Sequence, residues 1–375
     1  MSEGNIVLAA VGDVVLLRPP SEALLRAPWD EADLRVANLE APLTPGGIPA
    51  AKLIRLKSPV AAADWLADLG CHCVSLANNH IMDWGEPGLA STLSALDAVG
   101  IRYAGAGRDA DEAEQHVILS VGGWRVAFLS WASTIPAGFQ ARDGRPGLAG
   151  IRVRTSYAAD GATLDEQPGT PPWVHTEAVS EDVARLVAAL QRARAEADFV
   201  VLALHWGVPP QWQSRFQGPL ADYQAPLGRQ LVAAGADLIL GCHAHTVYGI
   251  EAVPRVAEPA GLICYSLGNY VFHPLADREA VKLDSPLLPY RAEEMAENSE
   301  TYIARFSLSP TTAGQLAIAE ARLVPALLDE AWEARAPTPE RARLIVNRVA
   351  AFSLQRHTPV EREENAVVWR SGDGS

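Results

Sequence analysis

The chain has 375 residues and a formal net charge of −14 at pH 7, with 31 Lys and Arg against 45 Asp and Glu. With 49% hydrophobic and 20% charged residues, its composition is globular and excludes a disordered, collagen-like or coiled-coil chain. No Lys/Arg-rich block interrupts the acidic balance, which argues against a nucleic-acid partner, because phosphate neutralisation needs a basic face.

Short apolar runs bounded by Gly, Asp or Asn predict β-strands along most of the chain. The runs are almost continuously apolar, which indicates sheets that are covered on both faces. The predicted strands are 6–11, 34–38, 73–77, 101–104, 117–121, 125–131, 199–205, 237–240 and 262–265, with 302–308 and 315–323 as a closing antiparallel pair.

Amphipathic stretches between these runs predict helices at 60–69, 87–99, 181–197, 220–234 and 341–354. Gly70, Gly100 and Gly235 follow three of them, where a helix C-cap belongs, and Ser180 is the expected N-cap of the fourth. The alternation predicts an α/β or α+β fold with mixed sheets.

We expect one domain over residues 1–330, because no long linker or repeat divides it. The stretch 133–177 is rich in Gly, Pro, Arg and Thr and predicts an insertion or lid. The polar stretch 274–298 predicts a variable loop. Residues 331–375 are expected to form a C-terminal helix and tail that pack on the domain.

The four cysteines are too few for a disulfide framework and are expected to be buried thiols. They are Cys71, Cys73, Cys242 and Cys264. The first residues lack a basic signal-peptide region, and no apolar stretch approaches the roughly 20 residues that span a bilayer. We therefore expect a cytoplasmic protein without a membrane anchor.

Metal-capable side chains follow five of the predicted strands, each directly after an apolar run. They are Asp13, Asn38 with Glu40, Asn79 with His80, His205, and His243 with His245. The carboxyl ends of strands meet at one edge of an α/β sheet, where ligand sites form. These nitrogen and oxygen donors suit Mn, Fe, Zn or Mg, and their number approaches the seven or eight ligands that two ions with a bridging carboxylate need.

Each of these residues has a structural explanation when it is taken alone. Asp13 can close a turn or cap a helix, Glu40 can be an exposed carboxylate, and His205 can be a satisfied core histidine. Five such strand ends in one chain argue against five unrelated explanations. The strongest pair is His243 and His245, which we expect to point the same way from a strand.

Ordered motifs extend this pattern along the chain and resemble a known family. They are Gly12-Asp13, Asn38-Leu39-Glu40, Asn78-Asn79-His80 with Asp83 and Gly85, Gly105-Ala106-Gly107, His205-Trp206-Gly207, Gly241-Cys242-His243-Ala244-His245 and Ser266-Leu267-Gly268-Asn269-Tyr270. Over about residues 5–275 the chain resembles the CapA family of poly-γ-glutamate capsule biosynthesis proteins, within the calcineurin-like metallophosphoesterase superfamily. The resemblance implies a four-layer α/β/β/α sandwich whose loops hold two divalent ions, Mn, Fe or Zn, with Mg as an alternative.

The resemblance also implies a role for each site residue. Glu40 corresponds to the carboxylate that bridges the two ions, with Asp13 and His245 completing one site and Asn79, His205 and His243 the other. His80 corresponds to the histidine that gives a proton or hydrogen bond to the leaving oxygen, and Asp83 orients it. Arg55 and Lys57 match a basic stretch that meets an anionic substrate.

Two positions depart from the wider superfamily. Val15 stands where a ligating histidine is usual, and Glu40 stands where the bridging residue is usually Asp. Both changes resemble the CapA branch. They leave the first ion with Asp13, Glu40 and His245 alone.

Three functions follow from these expectations. The first is a metal-dependent hydrolase in which activated water attacks a phosphoester or related anionic substrate. The alternative is a soluble CapA-like component of capsule polymer, γ-glutamyl or peptide amide metabolism, with a polymer as its anionic substrate and not necessarily hydrolytic. The third is a binding module that has kept the fold without catalysis.

Overall fold

The computed structural model describes residues 4–52, 54–213, 218–256, 258–274 and 299–372. The strands are β1 Ile6–Val15, β2 Leu34–Leu39, β3 Cys73–Ser75, β4 Arg102–Ala104, β5 Ala106–Gly107, β6 Val117–Val121, β7 Trp124–Ala132, β8 Gly147–Leu148, β9 Val153–Ala158, β10 Trp173–Ala178, β11 Phe199–His205, β12 Leu238–Cys242, β13 Ile250–Val253, β14 Gly261–Cys264, β15 Asn269–Phe272, β16 Glu300–Pro310, β17 Leu316–Leu328, β18 Ala334–Arg335, β19 Glu361–Glu363 and β20 Ala366–Arg370. The helices are α1 Ala27–Asp30, α2 Ala62–Asp68, α3 Gly85–Val99, α4 Ala110–Glu114, α5 Gly161–Glu166, α6 Ser180–Glu196, α7 Gln224–Ala233 and α8 Pro339–Gln355, with a 3₁₀ turn at Pro210–Trp212.

Two large mixed sheets organise the described chain. The first has ten strands in the order β19-β20-β17-β16-β1-β2-β3-β4, with β15 beside β1 and β18 beside β17. Its β1 to β4 run parallel, whereas β16, β17, β20 and β19 are antiparallel neighbours. The second has six strands in the order β13-β14-β12-β11-β7-β6, parallel at its centre and antiparallel at both edges. The predicted closing pair near residues 300–323 is confirmed as β16 and β17.

Alternate residues of the strands pack on opposite faces, which produces three apolar layers. Leu8 and Phe128 belong to the core between the two sheets. Leu93 of α3 belongs to a second core on the outer face of the ten-stranded sheet. Leu186 of α6 belongs to a third on the outer face of the six-stranded sheet. Helices therefore cover both outer faces, and the predicted α/β/β/α sandwich is confirmed.

The C-terminal residues take part in the first sheet and in the central core. Strand β20 pairs with β17 from Glu320 to Leu323. Val346 and Val349 of α8 are buried in the core between the sheets. The division into a domain at 1–330 and a tail at 331–375 stays a prediction.

The stretch predicted as a lid contains regular structure of its own. Within 133–177 lie β8, β9, α5 and most of β10, and β9 pairs with β10 as an antiparallel hairpin. Its role as a lid stays a prediction. The variable loop predicted at 274–298 lies outside the described residues, except for its first residue.

Helix ends mostly follow the predicted signals. Gly70, Gly100 and Gly235 have φ of +71°, +73° and +119°, the left-handed conformation that ends a helix without a Cβ penalty. The prediction for Ser180 is wrong. It is the first residue of α6, the N-cap is Val179, and the Ser180 hydroxyl contacts Glu181 instead of a backbone amide.

All four cysteines are buried and free, as predicted. No helix within the described ranges combines the length and apolarity that crossing a bilayer requires.

Candidate metal centre

Asp13 lies inside β1, which continues to Val15, so the prediction of a strand over 6–11 that Asp13 follows is wrong. The strand continues because β15 joins it on the far side, pairing Asp13 with Asn269. The Asp13 amide donates to the carbonyl oxygen of Gly268 at 3.0 Å. A Cβ on Gly12 would lie 1.8 Å from that oxygen, so only glycine permits this approach.

Glu40 follows β2 directly, and its amide donates to the carbonyl oxygen of Val14 at 3.0 Å. Its side chain is fully buried, and neither carboxylate oxygen has a hydrogen-bond partner within the described structure. Burial, reinforced by the charge of Asp13, raises the pKa of Glu40 well above its ordinary value. A buried carboxylate without hydrogen bonds is costly, so its position favours a bound cation.

One group of donor atoms converges on Glu40 from three elements. Nε2 of His205 lies 2.8 Å from Oδ1 of Asn79, 3.1 Å from Nδ1 of His243 and 3.5 Å from Oε1 of Glu40. Burial lowers the pKa of His205 to about 3 and that of His243 well below its ordinary value. Both imidazoles are therefore neutral, which is the form that ligates a metal.

A second group contains Asp13, Glu40 and His245. Nδ1 of His245 lies 3.3 Å from Oδ2 of Asp13, and its Nε2 lies 3.9 Å from Oε1 of Glu40. Burial opposes the charged imidazolium, but the two carboxylates raise the pKa of His245 to about 9. The pKa of Asp13 is lowered despite burial, because His245 and a hydrogen bond from Asn38 stabilise its charge.

His243 and His245, one in each donor group, lie in the loop that follows β12. Strand β12 ends at Cys242, and His243 and His245 have φ of +93° and +53°. The prediction that they point the same way from a strand is therefore wrong. Two left-handed residues turn the backbone at the sheet edge, and this turn brings both imidazoles to the side of Glu40.

His80 lies beside these groups and is oriented by Asp83. Nδ1 of His80 donates to Oδ2 of Asp83 at 2.6 Å, and its Nε2 lies 4.0 Å from Oε1 of Glu40. Asn78 caps the turn by accepting from the amides of His80 and Ile81 at 3.1 and 3.0 Å. Burial lowers the pKa of His80, although Asp83 opposes the shift.

The two basic residues predicted to meet the substrate contact their own loop and the start of α3. Nη1 of Arg55 donates to the carbonyl oxygens of Ala50 and Lys52 at 3.2 and 2.9 Å. Nζ of Lys57 lies 4.6 Å from the ring centroid of Trp84. Their substrate-binding role stays a prediction that none of these contacts supports.

Three residues of the site have no specific role in the sequence analysis: Asn38 is named only as a metal-capable side chain, and Asn269 and Lys52 are assigned no role. Nδ2 of Asn38 donates to Oδ1 of Asp13 at 2.7 Å, and Oδ1 of Asn269 accepts from Nδ1 of His245 at 2.8 Å. Both asparagines stand in the ordered motifs, which is the signal that points to them. Lys52 donates to Oδ1 of Asp83 at 2.7 Å. No motif includes it, so its position follows from the folded loop alone.

The residues present fit divalent cations. Two groups of donor atoms share the Glu40 carboxylate, whose oxygens have no other partner in the described structure. The donors are carboxylate, amide and neutral imidazole, which suit Mn, Fe, Zn or Mg. A cation between them would satisfy Glu40 and would be held by the imidazole nitrogens of His205 and His243.

Comparison with known proteins gives one family and several distant relatives. Residues 7–274 match the family model described as Bacterial capsule synthesis protein PGA_cap. The chain is 28% identical over 221 residues to the capsule biosynthesis protein CapA of Bacillus anthracis, covering 59% of this chain and 45% of that protein. It is 30% identical over 240 residues to a probable polyglutamine synthesis accessory protein of Mycobacterium tuberculosis, covering 60% and 56%.

The chain therefore spans about half the length of each of these two relatives. Among solved structures, one titled "Structure of PhoD" aligns with a TM-score of 0.36 and 9% identity, covering 90% of this chain and 69% of that one.

Proposed function

The chain belongs to the family of bacterial capsule synthesis proteins, and from this membership and the site geometry we infer that it is a divalent-metal-dependent hydrolase. The proposed substrate is a phosphoester or a related anionic compound. The observation that carries the proposal is Glu40, a buried carboxylate without a hydrogen-bond partner in the described structure, at the point where two donor groups meet.

We assign the ligands from these two groups. Glu40 is shared, Asp13 and His245 complete one site, and Asn79, His205 and His243 complete the other. Asn38 and Asn269 orient Asp13 and His245 from outside the donor groups. Bound divalent ions supply a Lewis acid that activates water and neutralises charge on a phosphoryl oxygen.

His80 and Asp83 supply the proton chemistry of the proposed reaction. The Asp83 carboxylate holds Nδ1–H of His80, so Nε2 faces the side of the ring where Glu40 lies. In the imidazolium form, which Asp83 stabilises, Nε2–H donates to the leaving oxygen as the ester bond breaks. A positioned general acid of this kind contributes about 10²- to 10⁴-fold in rate.

The first experiment is elemental analysis of protein purified without chelator. We expect about one to two equivalents of Mn, Fe or Zn, falling in His205→Ala because that imidazole contacts three of the other donors. His116→Ala is the matched control, since that histidine pairs with Glu196 away from the site. A metal content below about a tenth of an equivalent after reconstitution contradicts the proposal.

The second experiment measures hydrolysis of a panel of phosphoesters by the metal-loaded protein. Activity should disappear in His243→Ala together with the ion of its donor group. Activity retained by a metal-free His243→Ala protein would show that the metal centre is not the catalyst.

Family membership favours a second candidate function, a part in capsule polymer, γ-glutamyl or peptide amide metabolism. The printed names of the Bacillus and Mycobacterium relatives refer to capsule biosynthesis and polyglutamine synthesis. Parallel assays of γ-glutamyl amides and phosphoesters with the same metal-loaded preparation discriminate the two. Turnover of the amides without turnover of the esters selects the second candidate.

A further inference from the structure

Lys52 brings an ammonium group into the site from the loop that follows β2. Its Nζ donates to Oδ1 of Asp83 at 2.7 Å and to the carbonyl oxygen of Asn79, and lies 3.2 Å from Nδ1 of His80. The ammonium group of Lys52 therefore contacts Asp83, which orients His80, and the backbone of Asn79, which precedes His80 in the chain.

Backbone hydrogen bonds hold this loop against the turn that carries His80. The amide of Ala50 donates to the carbonyl oxygen of Asp83 at 2.9 Å, and the amide of Ile48 donates to that of Trp84 at 3.1 Å. These bonds fix the main chain at Asp83 and at the residue that follows it. Lys52 is therefore delivered to the carboxylate by a defined loop conformation.

Asp83 is fully buried and receives three donors. Nδ1 of His80 and the amide of Leu56 both donate to Oδ2, each at 2.6 Å. Lys52 is the donor to Oδ1. We propose that Lys52 is a positioning residue, which by holding Oδ1 keeps Oδ2 against Nδ1 of His80 and so keeps Nε2 turned toward Glu40.

The surroundings of Lys52 favour this role over contact with bulk water. Its side chain is only 16% exposed, and Nζ lies 5.4 Å from the ring centroid of Phe139, which lies in the segment between β7 and β8. A buried carboxylate that loses its charged donor is strongly penalised. Asp83 would therefore move toward water or another donor, and the ring of His80 would lose its fixed orientation.

This inference rests on the proposed function, in which His80 is the proton donor, but its first test does not need turnover. The Nδ1 proton of His80 is observed by NMR in metal-free protein labelled with ¹⁵N-histidine, and His80→Gln identifies the signal. In the native protein we expect a single signal protected from exchange with water. Lys52→Met should lose that protection, as should Asp83→Asn.

Lys57→Met is the matched control for this spectrum, because it removes a lysine of the same loop that contacts Pro45 and Trp84 instead. The protected signal should remain in this variant. Lys52→Gln is measured beside Lys52→Met, so that the spectrum of a Lys52 variant is still obtained if only the methionine variant fails to fold. A protected Nδ1 signal in either folded Lys52 variant overturns the proposal.

The second test compares substrates once hydrolysis has been observed. Lys52→Met should slow esters with a poor leaving group at least about tenfold more than esters with a good one, because only the former need the proton from His80. Lys52→Met combined with Asp83→Asn should be no slower than Asp83→Asn alone. Equal losses on both classes of ester overturn the proposal, whereas inactivity of the native protein contradicts the proposed function and leaves the NMR result valid.

Discussion

Oε1 of Glu40 lies 3.5 Å from Nε2 of His205, and both side chains are buried. The two groups come from the ten-stranded and the six-stranded sheet, so this contact joins the halves of the sandwich at the edge where the site forms. Neither carboxylate oxygen of Glu40 has a hydrogen-bond partner in the described structure, although His205 lies this close. The arrangement is costly without a cation, which is the basis of the first two predictions.

Glu40→Gln should stabilise the metal-free protein while it weakens metal binding. The raised pKa of Glu40 means that holding it in the fold costs free energy at neutral pH, so we expect a gain of about 1–3 kcal/mol in the free energy of unfolding. Denaturant unfolding in the presence of chelator measures it.

Glu251→Gln is the control, for which we expect the opposite change in the free energy of unfolding. Glu251 is buried but paired, because it accepts from Arg229 and from the hydroxyl of Tyr265. We expect the free energy of unfolding of this variant to fall by about 1–3 kcal/mol. A destabilised Glu40→Gln protein would show that its carboxylate is satisfied in the metal-free state.

The two donor groups predict separate losses of metal. His243→Ala removes a donor from the group with His205, whereas His245→Ala removes one from the group with Asp13. Each variant should lose about one equivalent relative to the native protein, as measured by elemental analysis. If His245→Ala keeps the native metal content, the group with Asp13 does not hold an ion.

Gly12→Ala should destabilise the whole sandwich. The added Cβ would lie 1.8 Å from the carbonyl oxygen of Gly268, so β1 and the segment before β15 must separate. We expect a loss of more than about 3 kcal/mol in thermal or denaturant unfolding. Gly161→Ala is the control, since its Cβ meets nothing within 4 Å, and it should change stability by less than about 0.5 kcal/mol.

The surroundings of His273, which lies outside the two donor groups, predict that the free energy of unfolding depends on pH. It is buried, its Nδ1 accepts from the amide of Leu17 at 3.1 Å, and its Nε2 donates to Glu333 at 3.1 Å. Burial lowers its pKa, although Glu333 opposes the shift. The unfolded chain therefore binds more protons once the pH falls below about 6.5, and the folded state loses stability there.

His273→Gln removes this dependence. The stability of the native protein relative to this variant should be constant above about pH 7 and should fall below about 6.5, by up to about 1.4 kcal/mol per pH unit. Denaturant unfolding at a series of pH values checks it. A difference that rises as the pH falls would mean that Glu333 holds His273 in its charged form.

The fold was predictable to a large extent because its signals are local. Continuous apolar runs identified most strands of both sheets but not β13, β15 or β18 to β20, and the glycines at 70, 100 and 235 identified three helix ends. The errors occur where a distant segment changes the local outcome. Strand β1 continues past Asp13 because β15 pairs with it there, and the backbone at His243 and His245 follows a loop instead of a strand.

The sequence alone determined which side chains are candidate donors. Carboxylates, asparagines and histidines that follow apolar runs lie at the same edge of a parallel sheet, so their meeting at one site could be predicted. Only the tertiary structure decided which of the loop cations reaches the site. Arg55 and Lys57 contact their own loop, whereas Lys52 contacts Asp83. The reason is physical: the direction of a long side chain in a loop depends on backbone hydrogen bonds to a segment about 30 residues away, and no local spacing encodes them.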